Sequence, residues 1–419
     1  MLFLLVVIGL AAAIVLSALG SSTGESTRQR ATEQALISAK QALIAYAASV
    51  YPAGNNRPGD LPCPDTDNDG RKESSCGSAS GSNQASRLGR LPWRSLGIPE
   101  LRDADGERLW YAVSNNFKES TRRLPLNSDT TGTIQVVDAQ GNIIPNVIAV
   151  VIAPGAPLQR LGDAAAQDRT GAGQNNPDSY LDKSATEDNA DFVDGAANGF
   201  VSGIVRDAQG RIIVNDTILP ITYQDLMPLL EKQVASTVMN CLTAYAAYDD
   251  GVSNNLGRYP WPASMATSAS GNYDDTPGVL FGRIPDQMCA SGGDGPSEIA
   301  CSPIVGTNPL MLSSWGSLAA CTLTDNWFRD NWREQVFYAI ADAYKPGTGT
   351  PTCGTCLTVG STPSISLAVF VARQTIALQN RTNKAIIANY LEGENASPND
   401  GIHEASPTSI SFNDLVVFK

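Results

Sequence analysis

The residues best placed to do chemistry lie between two cysteines, in Cys63-Pro-Asp65-Thr-Asp67-Asn-Asp69-Gly70-Arg71-Lys-Glu73-Ser-Ser-Cys76. Carboxylates at alternate positions followed by glycine give the oxygen spacing with which a calcium loop wraps a hard cation, the glycine permitting the sharp turn. In that pattern Asp65, Asp67 and Asp69 are direct ligands, Arg71 gives its carbonyl, and Glu73 ligates directly or through water. The bidentate glutamate that closes such a loop is missing, because Cys76 occupies its place. A solvated acidic turn, stapled by a Cys63–Cys76 disulfide, is the other reading of the same residues. The shorter Asp103-Ala-Asp105-Gly106-Glu107 reads as a hairpin turn leading into a strand.

The remaining reactive side chains point to structure rather than catalysis. Cys353-Gly-Thr-Cys356 has redox-dithiol spacing, but such a pair needs a helix start to lower a thiol pKa. Here it follows the loop Lys345-Pro-Gly-Thr-Gly-Thr-Pro351, so a loop disulfide is expected. Eight cysteines fit disulfides in an oxidising compartment. Cys289 with Cys301 reads as a second loop staple and Cys241 with Cys321 pairs by elimination, although spacing does not fix connectivity. The single histidine, His403, removes most zinc sites and histidine-based nucleophilic catalysis. No phosphate-binding glycine loop or nucleophile elbow is visible, so no enzymatic activity is expected. A net charge of -13 argues against a nucleic-acid partner. Trp315, Trp327, Phe328, Trp332 and Phe337 crowd one region, either as core or as an exposed aromatic patch that grips a partner.

The first fifty residues organise what surrounds these groups. Met1 to Gly20 reads MLFLLVVIGLAAAIVLSALG, and no charged side chain precedes Glu25. About 20 apolar residues span a bilayer as a helix. After Gly20 and Gly24 the chain turns amphipathic, with Ala31, Ala35, Leu36, Ala39, Ala42, Leu43, Tyr46 and Val50 at helical steps. A signal peptide would carry a basic start, and a plain anchor would lead into a polar linker.

The rest of the chain repeats itself. Ala42-Leu-Ile-Ala-Tyr46 echoes Cys241-Leu-Thr-Ala-Tyr245, and Gly89-Arg-Leu-Pro92 echoes Gly282-Arg-Ile-Pro285. Glu107-Arg-Leu-Trp-Tyr111 aligns with Glu334-Gln-Val-Phe-Tyr338, and Val147 to Ala153 with Ser366 to Ala372. Tyr180-Leu-Asp182 and Tyr390-Leu-Glu392 follow, then Asn215-Asp216 and Asn413-Asp414. The second helix, from Tyr223 to Tyr248, places Leu226, Leu230, Val234, Val238, Leu242 and Tyr245 on one face, with Pro228 tolerable if it lies in the first turn. The polar stretch from about Gly155 to Gly199 reads as a long loop on the outer surface.

Over residues 1 to about 50 the chain resembles a type IV pilin or a type II secretion pseudopilin, the N-terminally methylated family with a class III signal. The resemblance implies an α+β fold in which a long N-terminal α-helix is followed by a pilin-like antiparallel β-sheet head. The repeat adds a second, duplicated pilin-like α+β module, giving a helix over 1–50, a first head over 51–221 and a second module over 222–419. It further implies that prepilin peptidase removed a basic leader, leaving Met1 as a mature, modified terminus. Met1, Phe3, Leu5, Val7, Gly20 and Gly24 would belong to an assembly helix, bundled in a homo-oligomeric helical filament. Assembly machinery in the inner membrane of a Gram-negative bacterium would build it, moving the subunit from that membrane to an extracellular fibre. Calcium in a head loop fits the family as well. One position departs: most members carry a glutamate where this chain has Leu5, and large tip pseudopilins lack it too. The expected roles are therefore a main filament subunit, a minor tip subunit that primes assembly, or an anchored adhesin.

Overall fold

The computed structural model describes residues 2–50, 52, 54–77, 87–119, 124–191, 199–248, 257–286, 288, 315, 318, 321–347, 350–405 and 411–419, with side chains described from Glu25 onward. The side chains of Met1, Phe3, Leu5, Val7, Gly20 and Gly24 thus lie outside the described residues, as do Cys289 and Cys301. The chain divides into two units. The first holds Met1–Ala47, Asp60–Leu124 and Thr131–Asp225; the second holds Ala48–Gly59, Pro125–Thr130 and Leu226–Lys419.

In the first unit, helix α1 (Leu2–Ser49) buries Ala35, Leu36, Ala39, Leu43 and Ala47, a stripe at three- and four-residue steps after Leu36. Ala31 is exposed, and Ala42 and Tyr46 only half-buried. Lys40 fixes the helix to the unit, donating to the Pro220 carbonyl at 2.9 Å and pairing with Asp225 at 2.8 Å. Among the described residues no helix is long and apolar enough to cross a membrane.

The strands of this unit are β1 (Leu88–Arg90), β2 (Trp110–Val113), β3 (Ile134–Asp138), β4 (Ile143–Val147), β5 (Ala149–Ala153), β6 (Phe200–Ser202), β7 (Val205–Arg206), β8 (Ile212–Val214) and β9 (Thr217–Ile221). They form an antiparallel sheet ordered β1-β2-β5-β9, a three-stranded sheet ordered β4-β3-β6 and the β7-β8 pair. Within β4-β3-β6, β3 and β6 run parallel. Trp110, Ala112, Val150, Ile152 and Ile218 of the first sheet share a core with Ile134, Val136, Val147 and Phe200 of the second.

The second unit starts from α2 (Tyr223–Ala247), which buries Leu226, Leu230, Val234, Val238, Leu242 and Tyr245. Pro228 is its sixth residue, past the first turn, so one backbone hydrogen bond is forgone there. After α3 (Met265–Ala269) come β10 (Phe281–Arg283), β11 (Val336–Ile340), β12 (Leu357–Val359), β13 (Thr362–Ile365), β14 (Leu367–Val371), β15 (Ile402–His403) and β16 (Leu415–Phe418). The antiparallel sheet is ordered β10-β11-β14-β16 and the three-stranded sheet β13-β12-β15, with β12 and β15 parallel.

Strand order and pairing are therefore the same in the two larger sheets of each unit, while the β7-β8 pair has no counterpart among the described residues of the second. The match extends to backbone detail, since β4 and β13 each carry a non-glycine residue with positive φ after a proline: Asn146 at 59° and Ser364 at 65°. Gly89 and Gly282 are required by close approach. A Cβ would lie 2.5 Å from the Asp65 carbonyl oxygen in one case and 2.1 Å from that of Ala263 in the other.

Three expectations need correction. The α+β fold of a long helix bearing a pilin-like antiparallel head, duplicated, does not describe this chain. Among the described residues the strands are divided among five small sheets, two of which contain a parallel pair. Parallel neighbours demand a long crossover, and the stretch from Gly155 to Gly199 supplies much of one. It is not surface decoration, because it buries Tyr180 and Leu181 in the core. The alignment of the fifth strand was also one residue out. Tyr111 faces Val151 while Tyr338 faces Val369, which makes Val151 equivalent to Val369, not to Phe370. A one-residue slip exchanges the two faces of a strand. In the observed register Ile152 and Phe370 each point into the core of their own unit.

Candidate metal loop and paired carboxylates

The acidic loop is anchored at its first ligand. Asp65 exchanges both backbone hydrogen bonds with Arg90 of β1, at 3.0 and 2.7 Å, so its position is set by the sheet edge. Its side chain is buried and organises the turn that follows. Oδ1 accepts from the amides of Asn68 at 2.6 Å and Asp69 at 3.2 Å, and Oδ2 from Gly70 at 2.7 Å. Asn68 and Gly70 both take positive φ, 69° and 83°, to complete the reversal. Burial raises the Asp65 carboxyl; the Gly70 and Asn68 amides oppose this, and the charges of Asp69 and Asp67 add to it.

Ligand oxygens of Asp65, Asp67 and Glu73 come within 4.8 Å of one another. Asp69 is outside this group, its Oδ1 accepting from the Arg71 amide at 2.6 Å. Glu73 Oε1 also accepts from the Thr66 amide and hydroxyl, at 3.1 and 2.7 Å. The donor set is hard oxygen, which suits calcium or magnesium rather than a soft metal. It has three carboxylates where the sequence suggested four and a carbonyl. Cys63 and Cys76 are bonded across the base of the loop. The fully buried Lys118 donates from Nζ to the carbonyls of Cys76 at 3.0 Å and Gly77 at 2.7 Å, pinning the exit. The second unit has Ala263 in the position of Asp65, and there Ser264 caps α3 through the Thr267 amide at 3.1 Å. The fold can therefore be built without a carboxylate at this edge.

A second cluster recurs in both units. Asp182 and Asp216 clasp each other's backbone: the Asp182 amide donates to Asp216 Oδ2 at 2.8 Å, and the Asp216 amide to Asp182 Oδ2 at 3.2 Å. Asn189 adds a donor to Asp216 Oδ2 at 2.7 Å, and Gln167 one to Asp182 Oδ1 at 3.1 Å. In the second unit the Glu392 amide donates to Asp414 Oδ2 at 3.0 Å and Asn395 to the same oxygen at 3.1 Å. Gln379 donates to Glu392 Oε1 at 2.6 Å, and the Asn413 amide to Oε2 at 2.8 Å. Gln167-Asp-Arg169-Thr170 and Gln379-Asn-Arg381-Thr382 match as well, and each arginine lies over its unit's tyrosine, Tyr180 at 4.9 Å and Tyr390 at 4.6 Å. On the same rings, Arg90 sits between Trp110 and Tyr180, and Arg283 between Phe337 and Tyr390. Sequence reasoning had found these triplets as repeat markers but gave them no chemistry.

Three other groups of residues are structural. Cys241 is bonded to Cys321 and Cys353 to Cys356. The latter pair precedes β12 rather than a helix, so it has no helix dipole to activate a thiol. Trp315, Trp327, Phe328, Trp332 and Phe337 are all buried, which removes the exposed aromatic patch. The Asp103–Glu107 segment is a turn, with Asp103 Oδ1 accepting from the amides of Asp105 and Glu107, both at 2.9 Å.

No family model matches the sequence, and comparisons with curated proteins and with solved structures find no match either.

Proposed function

We infer that the chain is a structural subunit of an extracellular, type IV pilus-like filament that polymerises through its N-terminal helix. The observation that carries this reading is the division of labour along α1. From Ala35 onward its apolar stripe and Lys40 are engaged by its own unit. The preceding stretch, Met1 to Leu19, is apolar on every side by sequence and carries no charge. A helix apolar all round needs lipid or other helices about it. Lipid before assembly and neighbouring subunits afterwards would meet that need in turn, with the subunit in the inner membrane first and in the fibre later. The assembly machinery of that membrane is the partner this route requires. Calcium held by Asp65, Asp67 and Glu73 would brace the first unit outside the cell.

A second reading, a minor tip subunit, is favoured by Leu5. Without a carboxylate at that position the helix start has no partner for a neighbouring terminal amine, a condition suited to a subunit with nothing above it.

Val7→Asp tests the main reading. A charge inside the helix bundle should abolish surface filaments while leaving the cellular level of the protein unchanged. Filaments of normal number containing the variant would overturn it.

A further inference from the structure

We propose that each unit closes on a proton-held latch: Asp182 with Asp216 in the first, and Glu392 with Asp414 in the second, hold one proton per pair and so fasten the crossover segment to the last strand. Asp216 and Asp414 stand immediately before β9 and β16. The Tyr-Leu-acid triplet that each one grips contributes its tyrosine and leucine to the core. Opening the latch would therefore free both the strand entry and the crossover.

The geometry asks for the proton independently in each unit. Asp216 and Asp414 both receive their donors on Oδ2, while Oδ1 of each is buried and no donor reaches it. A charged oxygen in that position costs several kcal/mol, whereas a carboxylic acid carries its own hydrogen there. In the second unit the charge of Glu392 adds to burial in opposing ionisation of Asp414. Like charges held together in a buried site favour the state in which one carboxyl keeps its proton.

The charged groups facing the pairs do not supply a substitute. In the first unit the cation is Arg169, which is also paired with Glu107 at 3.1 Å. In the second it is Arg381, which pairs with Asp129 at 3.5 Å, while the Glu404 backbone amide donates to Asn395 Oδ1 at 2.9 Å. Burial pushes Asp182 up to about 6 and Asp414 up to about 8; in the second pair the Glu392 charge adds to it. Burial, then the charge of Asp182, hold Asp216 well above the carboxylate range. Because the folded state holds the extra proton, the stabilisation is complete below the ordinary carboxyl value. It is lost as pH rises toward those folded values.

The test uses the full chain in detergent micelles, wild type against Asp216→Asn and Asp414→Asn, singly and together. An amide carries a hydrogen at every pH, so each substitution imitates the closed latch. The opening constant of the wild-type C-terminal strand, read from hydrogen exchange of Leu415–Phe418 corrected for intrinsic rates, should rise by up to about tenfold per pH unit between pH 5 and 8. In Asp414→Asn it should stay level. A wild-type constant that is flat over this range, or a variant that follows the wild type, would overturn the latch. Should the variants fail to fold, isotope-edited infrared spectroscopy of wild-type protein labelled at its aspartate carboxyls decides. A neutral carboxyl band whose loss follows the hydrogen-exchange rise supports the proposal, and fully ionised carboxyls at pH 6 reject it.

Discussion

Removing one ligand from the acidic loop separates a calcium site from a stapled turn. Asp67 is the clean position: it is exposed, and its Oδ1 accepts from the Asp69 amide at 3.2 Å. Asp65 is unsuitable because its side chain holds three amides, and truncating it would cost several kcal/mol with or without metal. For a site of the weak, extracellular kind, with a Kd of about 0.1–1 mM, 10 mM calcium stabilises the folded state by roughly 1.4–2.7 kcal/mol. In a unit of this size that raises the unfolding midpoint by about 3–10 °C. Asp67→Asn should abolish most of this rise. Measured in chelator, the same variant should lie within about 0.5 kcal/mol of wild type, as expected for an exposed side chain. Differential scanning calorimetry with calcium and with chelator gives both numbers. Equal wild-type midpoints in the two buffers would refute the calcium reading, as would a full-sized calcium shift in Asp67→Asn. The loop would then be a turn whose acids serve only its own amides.

Two further outcomes follow from buried groups and cross-links. Both ring nitrogens of His403 are buried without a hydrogen-bond partner, and the ring packs against Phe370 at 4.9 Å. Burial pushes it down to about 4, so its neutral form contributes stability above the ordinary imidazole value that is lost as pH falls through about 4. His403→Phe should stabilise the second unit by about 1 kcal/mol at pH 7, with a larger gain at pH 4, as read from urea midpoints at the two pH values. Cys241–Cys321 spans 80 positions and Cys353–Cys356 only three. Replacing the first pair by serine should cost about 4 kcal/mol and replacing the second far less, a contrast that denaturant titration of the two double variants will show.

What could be read in the sequence follows from how local each signal is. The face of α2 was legible because six apolar residues recur within one helix. The Gly-Arg pairs were legible because a strand edge crossing another backbone tolerates no side chain at that point. The acidic loop showed itself for the same reason, all its ligands lying within a few positions. The parallel pairs were not visible. β6 has three residues and β15 two, too short for a periodic pattern, and their partners lie across crossovers of forty residues or more. The carboxylate pairs escaped for a related reason: Asp182 meets Asp216 at a separation of 34 and Glu392 meets Asp414 at 22. Neither member looks unusual until the fold buries both together. The tryptophans at 315, 327 and 332 left core and patch open as alternatives, since composition alone does not tell which face a ring presents.

The most direct test of the filament reading is the protein content of fibres sheared from cells that produce this chain. Negative-stain electron microscopy with immunogold labelling, and mass spectrometry of the purified fibres, should find the chain along their length as a principal component. Label confined to one end would assign it to the tip. Its absence from every fibre, with the protein recovered only from membranes as a single copy, would contradict the account.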